Sequence, residues 1–394
     1  MSARSSSAMS SLFQTLTCTR CGAEHDPSAL QTVCTAEGCG RPLAARYALE
    51  PIARPDPFVR DGAPGPMWRL HELMPLGPQS EIVTLGEGGT PLLPASRLGE
   101  RAGIPSLWIK DEAGNPTGSF KARGMAAAVT KAVELGAGAI AVPTAGNAGS
   151  AAAAYAARAG IECVVVMPAD TPPVFKREIA DLGATVIEHN GLIDDCGRIV
   201  SERAAAEGWF DVSTLKEPYR VEGKKTLGTE IAEQLGWTLP DAIVYPTGGG
   251  TGLIGMWKAF VELGELGWIG AERPRMYAVQ PEGCAPVVRA FESQAERCEK
   301  FANAATHAAG LRVPKPFADE WILAVLERSG GGAVAVSEDA IRVGVDELAR
   351  VEGIYACPEG GAAWAGTRAL IERGEIAPGD RVVVVNTGSA YKYM

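Results

Sequence analysis

The sequence predicts an α/β protein of two lobes, built on mostly parallel sheets flanked by helices, with a small cysteine-rich appendage at its N-terminus. Three observations predict it. The chain of 394 residues exceeds the size at which one hydrophobic core stops growing. From about Ser106 onward, short β-rich runs alternate with Ala-rich helical stretches, the rhythm of a parallel sheet covered by helices. Four of the nine cysteines crowd into the first 40 residues.

The appendage comes first in the chain. Cys18-Thr-Arg-Cys21 and Cys34-Thr-Ala-Glu-Gly-Cys39 place two thiolate pairs on glycine-marked turns, which suits a tetrahedral, structural zinc ribbon. The second pair has two residues more between its thiols than the ideal spacer, so a metal-free knuckle is the competing reading; His25 is read as a bystander. Cys163, Cys196, Cys284, Cys298 and Cys357 are scattered, as reduced thiols are in a cytosolic protein. The stretch 1–16 lacks a basic region followed by an apolar segment, and no apolar run is long enough to span a bilayer. A cytoplasmic protein without membrane contact is expected. The Pro-rich stretch 51–66 reads as a linker lying on the main body. A net charge of −10 argues against a general nucleic-acid binder, so any anion site must be local.

In the body, strands are predicted at 139–142, 163–167, 184–188, 242–245, 276–280 and 381–385, and helices at 125–135, 148–159 and 253–263. The last two helices begin directly after a glycine-containing loop that follows a strand. Unpaired N–H groups and the helix dipole make such places receptive to anions.

Four segments carry chemistry. Asn115-Pro-Thr-Gly-Ser-Phe-Lys121-Ala-Arg-Gly124 sets one lysine behind a turn and ahead of a helix, where burial would yield the neutral amine that Schiff-base chemistry needs; alone, it reads as a solvated surface lysine. Pro246-Thr-Gly-Gly-Gly-Thr251-Gly252 can close bare backbone N–H groups around a single phosphate, or be a tight turn. It lacks the endings that mark nucleotide loops. Pro143-Thr-Ala-Gly-Asn147-Ala-Gly-Ser150 offers an amide to a carboxylate or phenolic oxygen, and Asn386-Thr387-Gly-Ser389 offers a hydroxyl to a ring nitrogen. Ordinary Asx or Ser/Thr turns would account for either.

Taken together with Gly86-Glu-Gly-Gly-Thr90-Pro-Leu and Arg220-x-Glu222-Gly-x-Lys225-Thr226, these segments resemble the threonine synthase family over nearly the whole chain. That family belongs to the fold-type II, tryptophan synthase β-like pyridoxal phosphate enzymes. The resemblance implies that Lys121 carries pyridoxal 5′-phosphate and acts as general base. It further implies that Gly248, Gly249, Gly250, Thr251 and Gly252 hold the cofactor phosphate, Asn147 bonds the 3′-oxygen and Thr387 faces the pyridine nitrogen. A hydroxyl at that nitrogen disfavours full protonation of the ring, which favours elimination or replacement over transamination. Thr144, Arg220 and Lys225 would bind substrate. The implied reaction converts O-phospho-L-homoserine and water to L-threonine and phosphate, by γ-elimination and β-addition, in a homodimer. The implied division is residues 1–50 as the zinc-ribbon-like segment, 51–128 with 214–394 as the large cofactor-binding domain, and 129–213 as the small domain.

The sequence also departs from the family's commoner pattern. Lys121-Ala122-Arg123 stands where Lys-Asp-Arg is usual, and Ala145 and Ala148 stand where hydroxyl residues often flank the asparagine motif. Glu217 precedes Pro218 where an asparagine is usual, and an acid there would repel a phosphate. The triglycine loop resembles those of amino-acid dehydratases and cysteine synthases. These departures keep open β-elimination, as in serine/threonine dehydratases, and β-replacement, as in cysteate synthase. A non-catalytic pyridoxal phosphate-binding regulator is a third reading. Lys216, Glu217 and Tyr219 are candidates for the far end of the substrate.

Overall fold

The computed structural model describes residues 11–54, 65–78 and 80–394, so most of the expected 51–66 linker and residues 1–10 lie outside the described residues. The N-terminal appendage is a three-stranded antiparallel sheet of β1 (Phe13–Cys18), β2 (Glu24–His25) and β3 (Leu43–Tyr47), in the order β2-β1-β3.

The body holds two sheets. The larger uses β4 (Leu92–Pro94), β5 (Leu107–Asp111), β10 (Ala242–Pro246), β11 (Arg275–Pro281), β12 (Gly332–Val336) and β13 (Val382–Asn386), in the order β12-β11-β10-β13-β5-β4. Only β4 runs antiparallel to its neighbour. The smaller sheet is parallel throughout: β6 (Ala139–Pro143), β7 (Glu162–Pro168), β8 (Thr185–His189) and β9 (Phe210–Asp211), in the order β8-β7-β6-β9. Helices join and cover them. In chain order they are α1 (Ser96–Ala102), α2 (Lys121–Glu134), α3 (Asn147–Ala159), α4 (Pro173–Asp181), α5 (Ile193–Glu207), α6 (Tyr219–Gln234), α7 (Thr251–Glu265), α8 (Pro286–Glu292), α9 (Asp319–Arg328), α10 (Glu338–Glu352) and α11 (Pro358–Glu372).

Strands covered on both faces are apolar along their whole length, and β10 (Ala-Ile-Val-Tyr-Pro) and β13 (Val-Val-Val-Val-Asn) are buried at every residue. One apolar cluster spreads over the small sheet and the inner faces of α2 and α3, and two more sandwich the large sheet. Helices α2, α6 and α7 meet at glycines: a side chain on Gly124 would strike the Arg220 backbone, one on Gly228 would strike Met256, and one on Gly255 would strike Lys224. Three backbones packed this closely hold the residues between them in one place.

Candidate active site

Four of the chemically marked segments follow the C-terminal ends of parallel strands, the edge where open α/β sheets bind ligands. The Lys121 turn follows β5, the Asn147 loop follows β6, the triglycine loop follows β10 and Thr387 follows β13. Together they enclose one cavity of about 700 Å³, a size suited to a cofactor with its substrate.

Lys121 is the first residue of α2. Its turn is tied to the end of β13: the Phe120 N–H donates to the Thr387 carbonyl at 3.0 Å, the Ser389 N–H donates to the Gly118 carbonyl at 2.9 Å, and Ser119 bridges Gly388. That stitching sets Lys121 opposite Thr387. Burial and then the Arg220 charge lower the Lys121 amine, Glu359 and Cys357 pull it part of the way back, and the balance stands at about 8. Thr387 is buried, with the Cys357 thiol 3.7 Å from its hydroxyl.

The phosphate-sized cradle lies at the start of α7. Gly250 takes φ +78, a left-handed conformation that costs glycine little, and a side chain there would strike Ile322. A side chain on Gly248 would collide with the Gly310 carbonyl, and one on Gly249 would come 2.8 Å from the Thr214 methyl. Bare backbone and the Thr251 hydroxyl therefore face the cavity at a helix N-terminus, where the dipole favours an anion. Gly252 stands apart from these residues. It lies within the first turn of α7, where a side chain would strike the Tyr245 hydroxyl, and it does not line the cavity.

Asn147 opens α3. Its Nδ2 donates to the Tyr393 hydroxyl at 3.1 Å, while its Oδ1 is buried with no partner in the protein. The two ends of an amide are interchangeable, so one end is committed to Tyr393 and the other is left for a ligand. A buried amine of lowered pKa, an anion cradle, an unpaired amide and a hydroxyl at the opposite end fit pyridoxal phosphate group by group.

Beyond this floor the walls are cationic. Ten lysines and arginines line the cavity against two carboxylates, Asp194 and Glu359, in a chain of net charge −10. Arg220 is buried. One terminal nitrogen is held by the Val212 carbonyl at 2.7 Å, and its Nε is buried without a partner. Glu359 accepts from the Gly310 N–H at 2.8 Å and the Tyr393 hydroxyl at 3.1 Å, fastening the wall at 309–312. Thr144 lines the cavity, but its hydroxyl accepts from the Gly146 and Gly149 N–H groups at 3.0 and 3.3 Å, capping α3. Ser213 and Thr214 add hydroxyls that the sequence reading did not single out.

Lys225 is placed elsewhere. It points away from the cavity into a buried cluster, 2.7 Å from both Glu222 and Glu262 and stacked over the Tyr47 ring, with Lys258 alongside. Its neighbour Lys224 lines the cavity instead. The expectation for Glu217 also changes. Its carboxylate turns inward to accept the Tyr219 and Arg220 N–H groups at 2.7 and 3.0 Å at the start of α6, so it does not face a ligand. Burial raises that carboxyl to about 7 against the pull of the Arg220 charge and both N–H groups. Tyr219 is buried outside the lining as well, and of the three candidates for the far end only Lys216 lines it.

The appendage reaches the same cavity. The sulfurs of Cys18, Cys21, Cys34 and Cys39 lie within 4.8 Å of one another, with Cys18–Cys39 at 3.5 Å and Cys21–Cys34 at 3.6 Å. Four sulfurs about 2.3 Å from one zinc ion stand about 3.8 Å apart, so the donor set matches a tetrahedral site. His25 is outside the group. Arg41, just past Cys39, joins the cavity lining while its guanidinium holds Glu320 at 2.9 Å and the Phe317 carbonyl at 3.5 Å.

Fold and site define a class: an enzyme of fold-type II that uses pyridoxal phosphate. The family described as "Pyridoxal-phosphate dependent enzyme" matches residues 83–388. Threonine synthase of Methanosarcina acetivorans is 37% identical over 96% of this chain and 92% of its own length, and that of Methanocaldococcus jannaschii is 35% identical over 95% and 92%. The chain belongs to the threonine synthase family. Among solved structures, threonine deaminase isoform 2 from Solanum lycopersicum superposes with a TM-score of 0.63 at 24% identity, over 76% of this chain and 83% of that one. Maize serine racemase gives 0.65 at 19%, over 76% and 88%. At that identity they speak for the fold alone. Among the described residues no helix is long and apolar enough to cross a membrane.

Proposed function

We propose that this chain is a threonine synthase, converting O-phospho-L-homoserine and water to L-threonine and phosphate. The observation that carries the reading is the cationic wall. A pocket with one anion cradle for the cofactor and a second group of basic side chains around Arg220 suits a substrate that brings its own phosphate. The named relatives at 35–37% identity support it.

Pyridoxal phosphate, when bound, supplies the electron sink that makes the C–H bonds beside the substrate nitrogen acidic. Its phosphate would rest on Gly248, Gly249, Gly250 and Thr251, its phenolic oxygen on Asn147 and its ring nitrogen on Thr387. The Lys121 amine would remove and return the protons on the substrate carbons, and burial, the main influence lowering it to about 8, makes its neutral form accessible. Arg220 neutralises the phosphate as it leaves Cγ, and Lys216 and Thr144 line its path. In the same reading residues 129–213 form the small domain, closing over substrate held on the large one.

A second reading has a specific observation behind it: Ala145 and Ala148 line the cavity where hydroxyls would serve a phosphate. β-Elimination or β-replacement on an unphosphorylated amino acid would need fewer donors. The assay is direct. O-Phospho-L-homoserine is expected to release phosphate and threonine in equal amounts. Formation of 2-oxo acid from serine or threonine, with no phosphate release, would overturn the first reading in favour of the second.

We also propose that the four cysteines hold structural zinc in a cytoplasmic homodimer. The near-tetrahedral sulfur spacing supports the metal, and the scattered free cysteines support a reducing compartment. Metal analysis is expected to find about one zinc per chain, with its removal lowering thermal stability. Protein purified without chelator and carrying essentially no zinc would sink this.

A further inference from the structure

Most of the fully buried lysines in this chain have a carboxylate. Lys110 has Glu230 at 3.0 Å, Lys225 has Glu222 and Glu262 at 2.7 Å, and Lys258 sits between the same two acids. Lys224 is also buried, 1% exposed, yet its amine meets only the Phe120 carbonyl and the Phe120 ring face, 4.1 Å from the centroid. Lys121 lies 4.3 Å from the same centroid. The two amines thus flank one aromatic ring in one cavity.

Lys224 stands four residues after Arg220 on α6, so both project from one face of that helix into the cavity. Its stem runs past Gly124 of α2 and Gly255 of α7, where a side chain on either glycine would meet it at 3.2 and 2.9 Å. Arg220 keeps an unpaired, buried Nε at the same site.

We propose that Arg220 and Lys224 form a two-pronged anion clamp in which Lys224 enters the free pocket uncharged and takes up a proton when an anion seats. This rests on the reading that the substrate is anionic. The charges around Lys224 favour the neutral start. Lys121 and Arg123 from α2 and Arg220 from its own helix repel a proton, Glu112 before α2 attracts one more weakly, and α7 presents uncharged Gly255 at the contact. Burial adds to the repulsion, holding the amine well below the ordinary lysine range. An anion placed against it reverses the balance, so binding and proton uptake are linked. The clamp then gains a full charge only when occupied, and a vacant pocket is spared two adjacent buried cations.

Sulfate is the probe, because it does not itself titrate near neutrality and because holoenzyme, with its cradle filled by pyridoxal phosphate and Lys121 engaged by it, leaves Lys224 as the amine beside Arg220 free to respond. Calorimetric titration in two buffers of different ionisation enthalpy, from pH 6 to 9, is expected to show uptake rising toward about one proton per sulfate and affinity falling as pH rises. Lys224→Gln and Lys224→Met are expected to abolish the uptake and weaken sulfate roughly tenfold to a hundredfold. Arg220→Gln should weaken sulfate and, by removing one of the charges that hold Lys224 uncharged, reduce the uptake without abolishing it. Absence of sulfate binding to wild-type holoenzyme, binding without uptake at every pH, or undiminished uptake in both Lys224 variants would each overturn the clamp. None of these results depends on whether O-phospho-L-homoserine is the substrate, so the clamp can fail while that reading stands, and the reverse.

Discussion

Replacing Lys121 with alanine is expected to lower turnover by at least about 10³-fold and to remove the visible absorption of the bound cofactor. Two lysines flank Phe120, so the loss alone would not say which one carries the cofactor. Borohydride reduction followed by peptide mapping separates them, and the label is expected on Lys121. Lys121 begins a helix, on a turn stitched to the β13 end that carries Thr387, whereas Lys224 is already engaged by the Phe120 carbonyl. A pH dependence follows. The Lys121 amine is lowered to about 8, chiefly by burial and then by Arg220, and only its neutral form attacks the cofactor aldehyde. Capture of pyridoxal phosphate by cofactor-free protein should therefore accelerate as pH rises and level off above about 8. A label on Lys224, or full activity in Lys121→Ala, would refute the assignment.

Much of this site was legible in the sequence, because glycine and asparagine at strand ends are local signals. The strands predicted at 139–142, 163–167, 242–245, 276–280 and 381–385 lie within a residue or two of β6, β7, β10, β11 and β13. β5 escaped because Lys110 and Asp111 break its apolar run. Lys110 is buried only because Glu230, far along the chain, neutralises it. That Lys224 and not Lys225 lines the cavity has a reason the sequence did contain. On a helix, Arg220 shares a face with position 224, while 222, 225 and 229 look elsewhere, and the motif spelled out Lys225 without that rotation. Arg297, Lys300 and Arg312 line the cavity from segments with no motif, so nothing local marks them.

Arg123, two residues past Lys121, explains the family block at Gly86–Thr90 as architecture. Its guanidinium is fully buried and forks between two carboxylates, Glu112 at 2.6 and 2.9 Å and Glu230 at 2.8 and 2.7 Å. Thr90 and Thr226 fill its remaining donors at 3.0 and 3.1 Å, Lys110 braces Glu230, and the Gly89 N–H donates to Glu230 at 2.8 Å. This network joins α2, α6 and the strand-edge loops beneath the lysine. Arg123→Met would leave Glu112 and Glu230 buried with Lys110 as their nearby cation. Breaking a buried, hydrogen-bonded pair from one side costs about 3–5 kcal/mol, so unfolding should move to lower denaturant by that amount at neutral pH. The pH dependence gives the sign. Although burial alone would raise both carboxyls, Arg123 and its hydrogen bonds hold them below their ordinary values, so their contribution is present above the unfolded carboxylate range and lost as acid titrates them. Without Arg123 they become easier to protonate in the folded state, and the gap between wild type and variant should narrow as pH falls toward 4. A gap that stays constant from pH 8 to 4 would show that the cost is packing and not charge.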